Sequence, residues 1–339
     1  MGFSAVSPCY EENCYSPSPK LSNFHSQYTL FESVVKRTLL YGGAVWALRY
    51  RSELEPVQNN YFRTLLGMHP WTKTAVVRRE TASSHLEASL WEQILMFLYK
   101  IKRMEPERYA ATIFKRLSQL DRDGSSCELN WVSQVRIGLL PFGLDSLLTA
   151  SPEEIAEYYK TSMEIIRTHF RNQDDYDLDR LENFPQYRQE FLYGEEQHLQ
   201  GQPGAQVTEK VDRRWKQLPW HLKSKLDLQT KRLITQLRQN QVYMRFRDTV
   251  VSVPHPKVAM TCKMCWNQVI DSPQHAIMEC PVTAVTAKTL KEHGWTQENF
   301  VKFLDSPWED VTLVSKLIMQ PIRMRLFVST EITEMSRRC

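Results

Sequence analysis

Three cysteines and one histidine in the C-terminal third of the chain have the spacing of a metal site. Cys262 and Cys265 are separated by two residues, and His275 and Cys280 follow in the order Cys-x2-Cys-x9-His-x4-Cys. Zinc favours sulfur and nitrogen ligands in a closed tetrahedral shell, and two cysteines at this spacing can bind one ion from a single tight turn. We therefore predict a structural Zn2+ site, because four protein ligands leave no position for a catalytic water.

Buried thiols are the alternative interpretation of these cysteines. The chain holds 7 Cys and 9 His in 339 residues, so a lone Cys-x2-Cys pair could arise by chance and serve as core or as a redox dithiol. The His275 and Cys280 pair follows closely, across a polar segment. Two adjoining half-sites favour the metal.

Composition predicts an intracellular, mainly helical protein. Hydrophobic residues make up 42% of the chain, and its 11 Gly are few beside the many Leu, Glu, Lys and Gln, which favours helix over sheet. A chain of this length is expected to form two or three domains. No apolar run could cross a bilayer, and the N-terminal stretch lacks the apolar segment of a signal peptide. We expect no membrane partner and a location in the cytoplasm, the nucleus or both.

Charge is divided unevenly along the chain. The stretch 209–250 holds 11 Lys and Arg against 4 Asp and Glu, whereas 151–208 holds 12 Asp and Glu against 5 Lys and Arg. A basic block beside a metal site suggests nucleic-acid binding, because cations neutralise phosphates and aromatic rings stack on unpaired bases. The alternative is that the two blocks pair with each other or lie as solvated faces.

The residues predicted to contact RNA or DNA come from the basic block and from the first turn of the metal site. They are Arg213, Arg214, Lys216, Lys223, Lys225, Lys231, Arg232, Arg238, Arg245, Lys263 and Trp266. A helix is expected near 223–238, and its apolar stripe must be buried. Lys225, Lys231 and Arg232 are therefore expected to point outward.

Apolar residues recur at helical spacing through most of the chain. Three sites have the signature of a helix start: Ser52 with Glu55, Ser84 with Glu87, and Ser151 followed by Pro152 and Glu154. Gly67 stands where the first of these helices should end. Further helices are expected near 282–293, 297–304 and 308–335. The predicted fold class is mainly α.

Two separated stretches resemble non-LTR (LINE-type) retrotransposon reverse transcriptases. TLLYGGAVW at 38–46, with LEPVQ at 54–58 and FRTLLG at 62–67, is similar to the start of the thumb beyond the palm. KRLITQLR at 231–238 precedes the cysteine cluster, as a Leu-Arg helix precedes a CCHC knuckle in that family. The resemblance covers residues 30–105 and about 225–285. It implies a helical thumb and a zinc knuckle that bind nucleic acid.

The chain departs from that family where catalysis would occur. Polymerisation needs palm carboxylates that hold Mg2+, and the sequence has no aromatic-x-Asp-Asp hairpin. Asp174 and Asp175 end a helical pattern and are predicted to lie at a solvated helix end. A calcium loop from Asp175 fails, because Arg180 stands where glycine is needed and Gln186 where glutamate is needed. We predict no catalytic residues and no enzymatic activity from this chain by itself.

The leading hypothesis is a nucleic-acid-binding remnant or fragment of such a reverse transcriptase. One alternative is the C-terminal part of an active RNA-directed DNA polymerase whose palm lies upstream. Another is a zinc-stabilised helical scaffold for protein partners, such as missing polymerase domains or host proteins. The predicted segments are a flexible arm (1–27), a thumb-like helical domain (28–105), an acidic helical connecting region (106–200), a linker (201–208), a basic helical region (209–253), the CCHC knuckle (254–285) and C-terminal helices (286–339).

Overall fold

The fold is mainly α, as predicted. A computed structural model describes residues 23–124, 129–180, 218–239 and 261–338, without 263 and 266. Within these ranges no strand is formed, and one isolated antiparallel bridge joins Thr261 to Ile270. The predicted linker at 201–208 lies outside the described residues.

The described residues form fourteen α-helices. In chain order they are α1 (Phe24–Leu30), α2 (Lys36–Leu39), α3 (Gly43–Trp46), α4 (Arg51–Leu66), α5 (Thr74–Thr81), α6 (Leu86–Lys102), α7 (Tyr109–Arg122), α8 (Trp131–Leu139), α9 (Pro152–Asp179), α10 (Trp220–Lys223), α11 (Leu228–Arg238), α12 (Ala284–Glu292), α13 (Phe300–Asp305) and α14 (Val311–Arg338). A π-helical turn, Phe31–Val35, joins α1 to α2. The last three helices confirm the ranges expected after Pro281 to within a few residues.

The first helix begins earlier than the sequence pattern indicated. The side chain of Asn23 accepts a hydrogen bond from the His25 backbone N–H and caps α1. Phe24 and Phe31 are buried against Phe62 of α4 and its neighbours. Residues 24–27 are therefore helical, which corrects the predicted flexible arm, and residues 1–22 lie outside the described residues.

One of the three predicted helix starts is confirmed and two are wrong. Ser151 and Glu154 form a reciprocal capping box at the start of α9. The α4 helix begins at Arg51, so Ser52 is already inside it, and His85 rather than Ser84 precedes α6. The first capping box is absent because a tertiary contact takes its glutamate. The Glu55 carboxylate accepts a hydrogen bond from the backbone N–H of Glu87 at 3.1 Å instead of one at the start of its own helix. Gly67 ends α4 with a left-handed φ of 64°, as predicted.

Three hydrophobic cores hold the helices together. The first lies between α6 and α9, where Trp91, Ile94 and Leu98 face Ile166 and Phe170. This core joins the thumb-like segment to the connecting region. The ring nitrogen of Trp131 extends the contact by donating to the Ala44 backbone carbonyl at 2.7 Å.

The other two cores share the α11 segment. Phe31 and Phe62 pack with Leu222 and Leu228, which lie before and at the start of α11. Ile234 of α11 packs with the residues of the metal segment and of α12 to α14. Each core thus draws on segments that the sequence pattern separated, and the predicted boundaries do not mark independent cores within the described residues.

Candidate metal centre

The four predicted metal ligands come together in the structure. One ligand atom from each of Cys262, Cys265, His275 and Cys280 can be chosen so that all four lie within 4.8 Å of one another. The Cys265 Sγ and His275 Nε2 atoms are 3.5 Å apart. An ion with ligand bonds near 2.3 Å would need sulfurs about 3.8 Å apart in a tetrahedron, so a small contraction would close the shell. These four residues could bind a metal ion.

Local backbone geometry places the first two cysteines. The backbone N–H of Cys262 donates to the Val269 carbonyl at 2.7 Å, and Thr261 bridges to Ile270. Between them the chain reverses at Gln268, whose φ of 55° is left-handed. The short loop therefore turns Cys262 and Cys265 toward the same point.

A π-helical turn places the other two ligands. His275–Glu279 winds with the wider π spacing, and the backbone N–H of Cys280 donates to the His275 carbonyl at 2.8 Å. Thr283 Oγ1 lies 3.0 Å from the Ala276 carbonyl oxygen and 3.1 Å from that of Cys280, and donates to both. Because an ordinary helix would carry a residue five positions on to a different face, the π turn is what brings Cys280 back beside His275.

The imidazole of His275 is oriented for ligation through Nε2. Its Nδ1 atom lies 3.7 Å from Glu279 Oε2. A carboxylate on that side favours the tautomer that carries its proton on Nδ1, which leaves the Nε2 lone pair facing the cysteines.

Arg325 of α14 contacts the metal segment through a buried side chain. Its side chain is 1% exposed, and Nε donates to Asp271 Oδ1 at 2.9 Å. Nη2 lies 3.6 Å from Cys262 Sγ, and Nη1 lies 3.3 Å from the Ala276 carbonyl oxygen. A buried guanidinium at this place offsets negative charge on thiolates and ties the metal segment to the last helix.

The thiols of the first pair differ in acidity. Burial raises the pKa of Cys262 to about 11. A hydrogen bond from the Asn267 backbone N–H lowers the pKa of Cys265 below its ordinary value.

The metal segment has apolar anchors of its own. Ala276, Ile277 and Met278 are buried in the core formed with Leu290 and Ile318. The metal centre is therefore built into the C-terminal helices rather than standing apart as a separate knuckle.

The predicted nucleic-acid contacts are divided by the structure into three groups. Lys223 and Lys225 are exposed, and Arg232 is half-buried, with Nε donating to the Leu65 carbonyl at 2.7 Å. The expectation that Lys231 points outward is wrong, because it is 1% exposed and its Nζ donates to the Leu222 carbonyl at 3.2 Å. Outside the described residues lie Arg213, Arg214, Lys216, Arg245, Lys263 and Trp266.

Arg238 is likewise an interior residue. Its Nε donates to Glu80 Oε1 at 3.1 Å and its Nη1 to Asp305 Oδ1 at 2.6 Å. The α11 helix lies between the second and third cores, so its polar side meets protein instead of water. Arg238 therefore serves as an internal link between α5, α11 and α13.

A buried charge network around Asp174 was not predicted from the sequence. Asp174, predicted to lie at a solvated helix end, is 2% exposed and forms a bidentate ion pair with Arg78 of α5. His85 stands between Asp174 Oδ2 at 3.1 Å and Glu55 Oε1 at 3.4 Å. Arg78, His85 and two carboxylates thus join α4, α5, α9 and the start of α6 at one point. A cavity of about 300 Å3 borders the network at His85 and Phe170.

The network should make stability depend on pH through His85. Burial alone lowers the pKa of His85, but hydrogen bonds to Asp174 and Glu55 outweigh it and raise the pKa above the ordinary value. The stabilisation is therefore complete below about pH 6.5 and is lost as pH rises through the folded-state pKa. We expect the free energy of unfolding in urea to fall on the alkaline side, and His85→Gln to remove this slope.

Acidification acts through the carboxylates of the same network. Although burial raises them, hydrogen bonds and charges from Arg78 and His85 hold the pKa values of Asp174 and Glu55 below their ordinary range. The stabilisation by these carboxylates is therefore present above about pH 4 and is lost as pH falls through the folded-state pKa values.

The control for His85→Gln is His293→Gln, at an exposed histidine, which should keep the wild-type dependence of stability on pH. An unchanged alkaline slope in His85→Gln would contradict the assignment.

Within residues 23–124, 129–180, 218–239 and 261–338, no helix combines the length and the apolar character needed to cross a membrane. Comparisons of this chain with protein-family models, with curated proteins and with solved structures found no match.

Proposed function

We propose that Cys262, Cys265, His275 and Cys280 hold a structural zinc ion. Three sulfurs and one imidazole nitrogen are the donor set that zinc prefers, and the observation that carries the proposal is their convergence within 4.8 Å. All four positions of a tetrahedral shell are then occupied by protein. The ion would stabilise the C-terminal core and would supply no open position for a substrate.

We further propose that the protein binds RNA or DNA and does not itself join nucleotides. Support comes from the knuckle-like ligand set, from exposed Lys223 and Lys225, and from the resemblance of two stretches to the thumb and knuckle of LINE-type reverse transcriptases. The burial of Lys231 and Arg238 narrows the proposal, because phosphate contacts must then come from other cations.

A second candidate is a helical scaffold for protein partners. The observation that favours it is the same burial of Lys231 and Arg238, which removes two predicted phosphate contacts from the surface. A scaffold would still need the zinc ion for the C-terminal core but would show no affinity for oligonucleotides.

Metal analysis and RNA titration separate these functions. The purified chain should contain about one zinc per molecule and should bind a fluorescent single-stranded RNA with an affinity that falls with salt. Lys223→Gln with Lys225→Gln should reduce the slope of log K against log salt by about 1.4, because each phosphate contact to a single strand contributes about 0.7.

The outcomes are distinct. A zinc-loaded protein that binds no oligonucleotide at low salt would favour the scaffold. Primer extension with Mg2+ by this chain alone would contradict the proposal that it lacks polymerase activity. The matched charge control is Lys302→Gln with Lys316→Gln, at exposed positions of α13 and α14, which should leave the salt slope near that of the wild type.

A further inference from the structure

Three aromatic side chains are exposed together at the turn between α2 and α4. Tyr41 is 84% exposed, Tyr50 is 43% exposed and Trp46 is 40% exposed. Trp46 and Tyr50 have ring centroids 6.3 Å apart, and the indole nitrogen of Trp46 donates to the Tyr41 carbonyl at 3.0 Å. The Trp46 and Tyr50 rings lie side by side, and the Tyr41 backbone is tied to Trp46, so one turn presents three exposed aromatic side chains that a partner can contact.

The backbone fixes this group in place. Gly42 has a left-handed φ of 64°, and a Cβ at this position would lie 3.8 Å from the Trp46 indole nitrogen. The intervening Ala44 and Ala47 are buried against the first core. The rings are therefore held on a rigid base, with their exposed faces turned to solvent.

Two arginines beside the rings have no carboxylate partner. Arg37 lies in α2, four residues before Tyr41, and Arg49 stands next to Tyr50; both arginines are exposed. Among the described residues neither has a carboxylate within ion-pair distance.

We propose that Tyr41, Trp46 and Tyr50, with Arg37 and Arg49, form a binding surface for single-stranded nucleic acid. This rests on the proposed nucleic-acid function and names its surface. Unpaired bases present flat faces that stack on aromatic rings, and the neighbouring phosphates complement guanidinium charge. An apolar protein surface would bury the rings equally well but would offer the two arginines no counter-charge, whereas every nucleotide brings a phosphate beside its base, which favours the nucleic acid.

The test is fluorescence anisotropy of a 20-nucleotide single-stranded RNA with the full chain. Tyr41→Ala and Trp46→Ala should each weaken binding by between about 5-fold and 150-fold, the range for loss of one stacking residue. Tyr41 is so exposed that its replacement should not disturb folding, which keeps the test valid if the Trp46 variant is unstable. Arg37→Gln with Arg49→Gln should reduce the salt slope by about 1.4.

Matched controls are Trp71→Ala, at an exposed tryptophan outside this surface, and Lys302→Gln with Lys316→Gln. Wild-type affinity in both controls, together with weakened surface variants, supports the assignment. If the wild type binds RNA and the surface variants bind equally well, the surface is wrong while the proposed function stands. If those variants instead abolish self-association in sedimentation, the surface is a protein contact. Absence of RNA binding by the wild type overturns the proposed function itself.

Discussion

Replacing Asp174 with asparagine is expected to lower the free energy of unfolding by about 3–5 kcal/mol, the usual cost of breaking a buried ion pair by removing one partner. Arg78 would keep its buried charge but lose its bidentate acceptor, with Glu55 Oε2 at 3.4 Å as the remaining carboxylate. The loss should appear in urea unfolding followed by circular dichroism, with little change in the m-value.

Two comparisons make this result specific to the ion pair. Asp177→Asn changes an exposed carboxylate on the same helix and should alter stability by less than about 0.5 kcal/mol. Arg78→Met combined with Asp174→Leu removes both charges, so we expect the double variant to be more stable than either single one. An Asp174→Asn protein as stable as the wild type would show that the network carries no net stabilisation.

Loss of the metal is expected to have the second large effect. Cys280→Ser should abolish stoichiometric zinc binding, because it removes one of four ligands from a buried site. A protein that binds zinc with a thousandfold excess of metal over the dissociation constant gains about 4 kcal/mol of stability, and structural zinc sites bind more tightly than this requires. Thermal unfolding of the wild type in zinc and in chelator would measure the difference.

The metal effect should extend beyond the four ligands. Ala276, Ile277 and Met278 share their core with Ile318 and other residues of α14, so hydrogen exchange in α14 should speed up when the metal is removed. Chelator should not destabilise Cys280→Ser further. The control is Cys127→Ser, which changes a cysteine that is not among the four. Full stability of the wild type in chelator would rule out a structural metal.

The metal ligands could be predicted from the sequence, whereas the buried ion pair could not. The ligand set followed from spacing, because Cys-x2-Cys and His-x4-Cys are short-range relations that a tight turn and a π turn can satisfy locally. The approximate positions of α4, α6, α9, α11 and α12 to α14 followed from apolar periodicity for the same reason, whereas α5, α7 and α8 were not predicted individually. Arg325 could not be inferred, since it reaches Cys262 from 63 positions along the chain.

The buried charges show most clearly what the sequence pattern could not predict. Arg78 and Asp174 are 96 positions apart, and nothing in the local pattern of α9 distinguishes Asp174 from the exposed Asp177. Lys231 was predicted to point outward and Arg238 to contact nucleic acid, but both side chains are covered by neighbouring elements. A periodic pattern indicates which residues must be buried and is silent on which polar residues are buried with them.

The sequence by itself determined the helical class, the residues able to hold a metal and the break at Gly67, because each depends on interactions within a few residues. Only the tertiary structure decided which cations remain at the surface, how the metal segment packs into the C-terminal core, and which helices the buried ion-pair network joins. The physical reason is that the free energy of a charged side chain depends on its solvation and its partners, and both are set by elements distant in the chain.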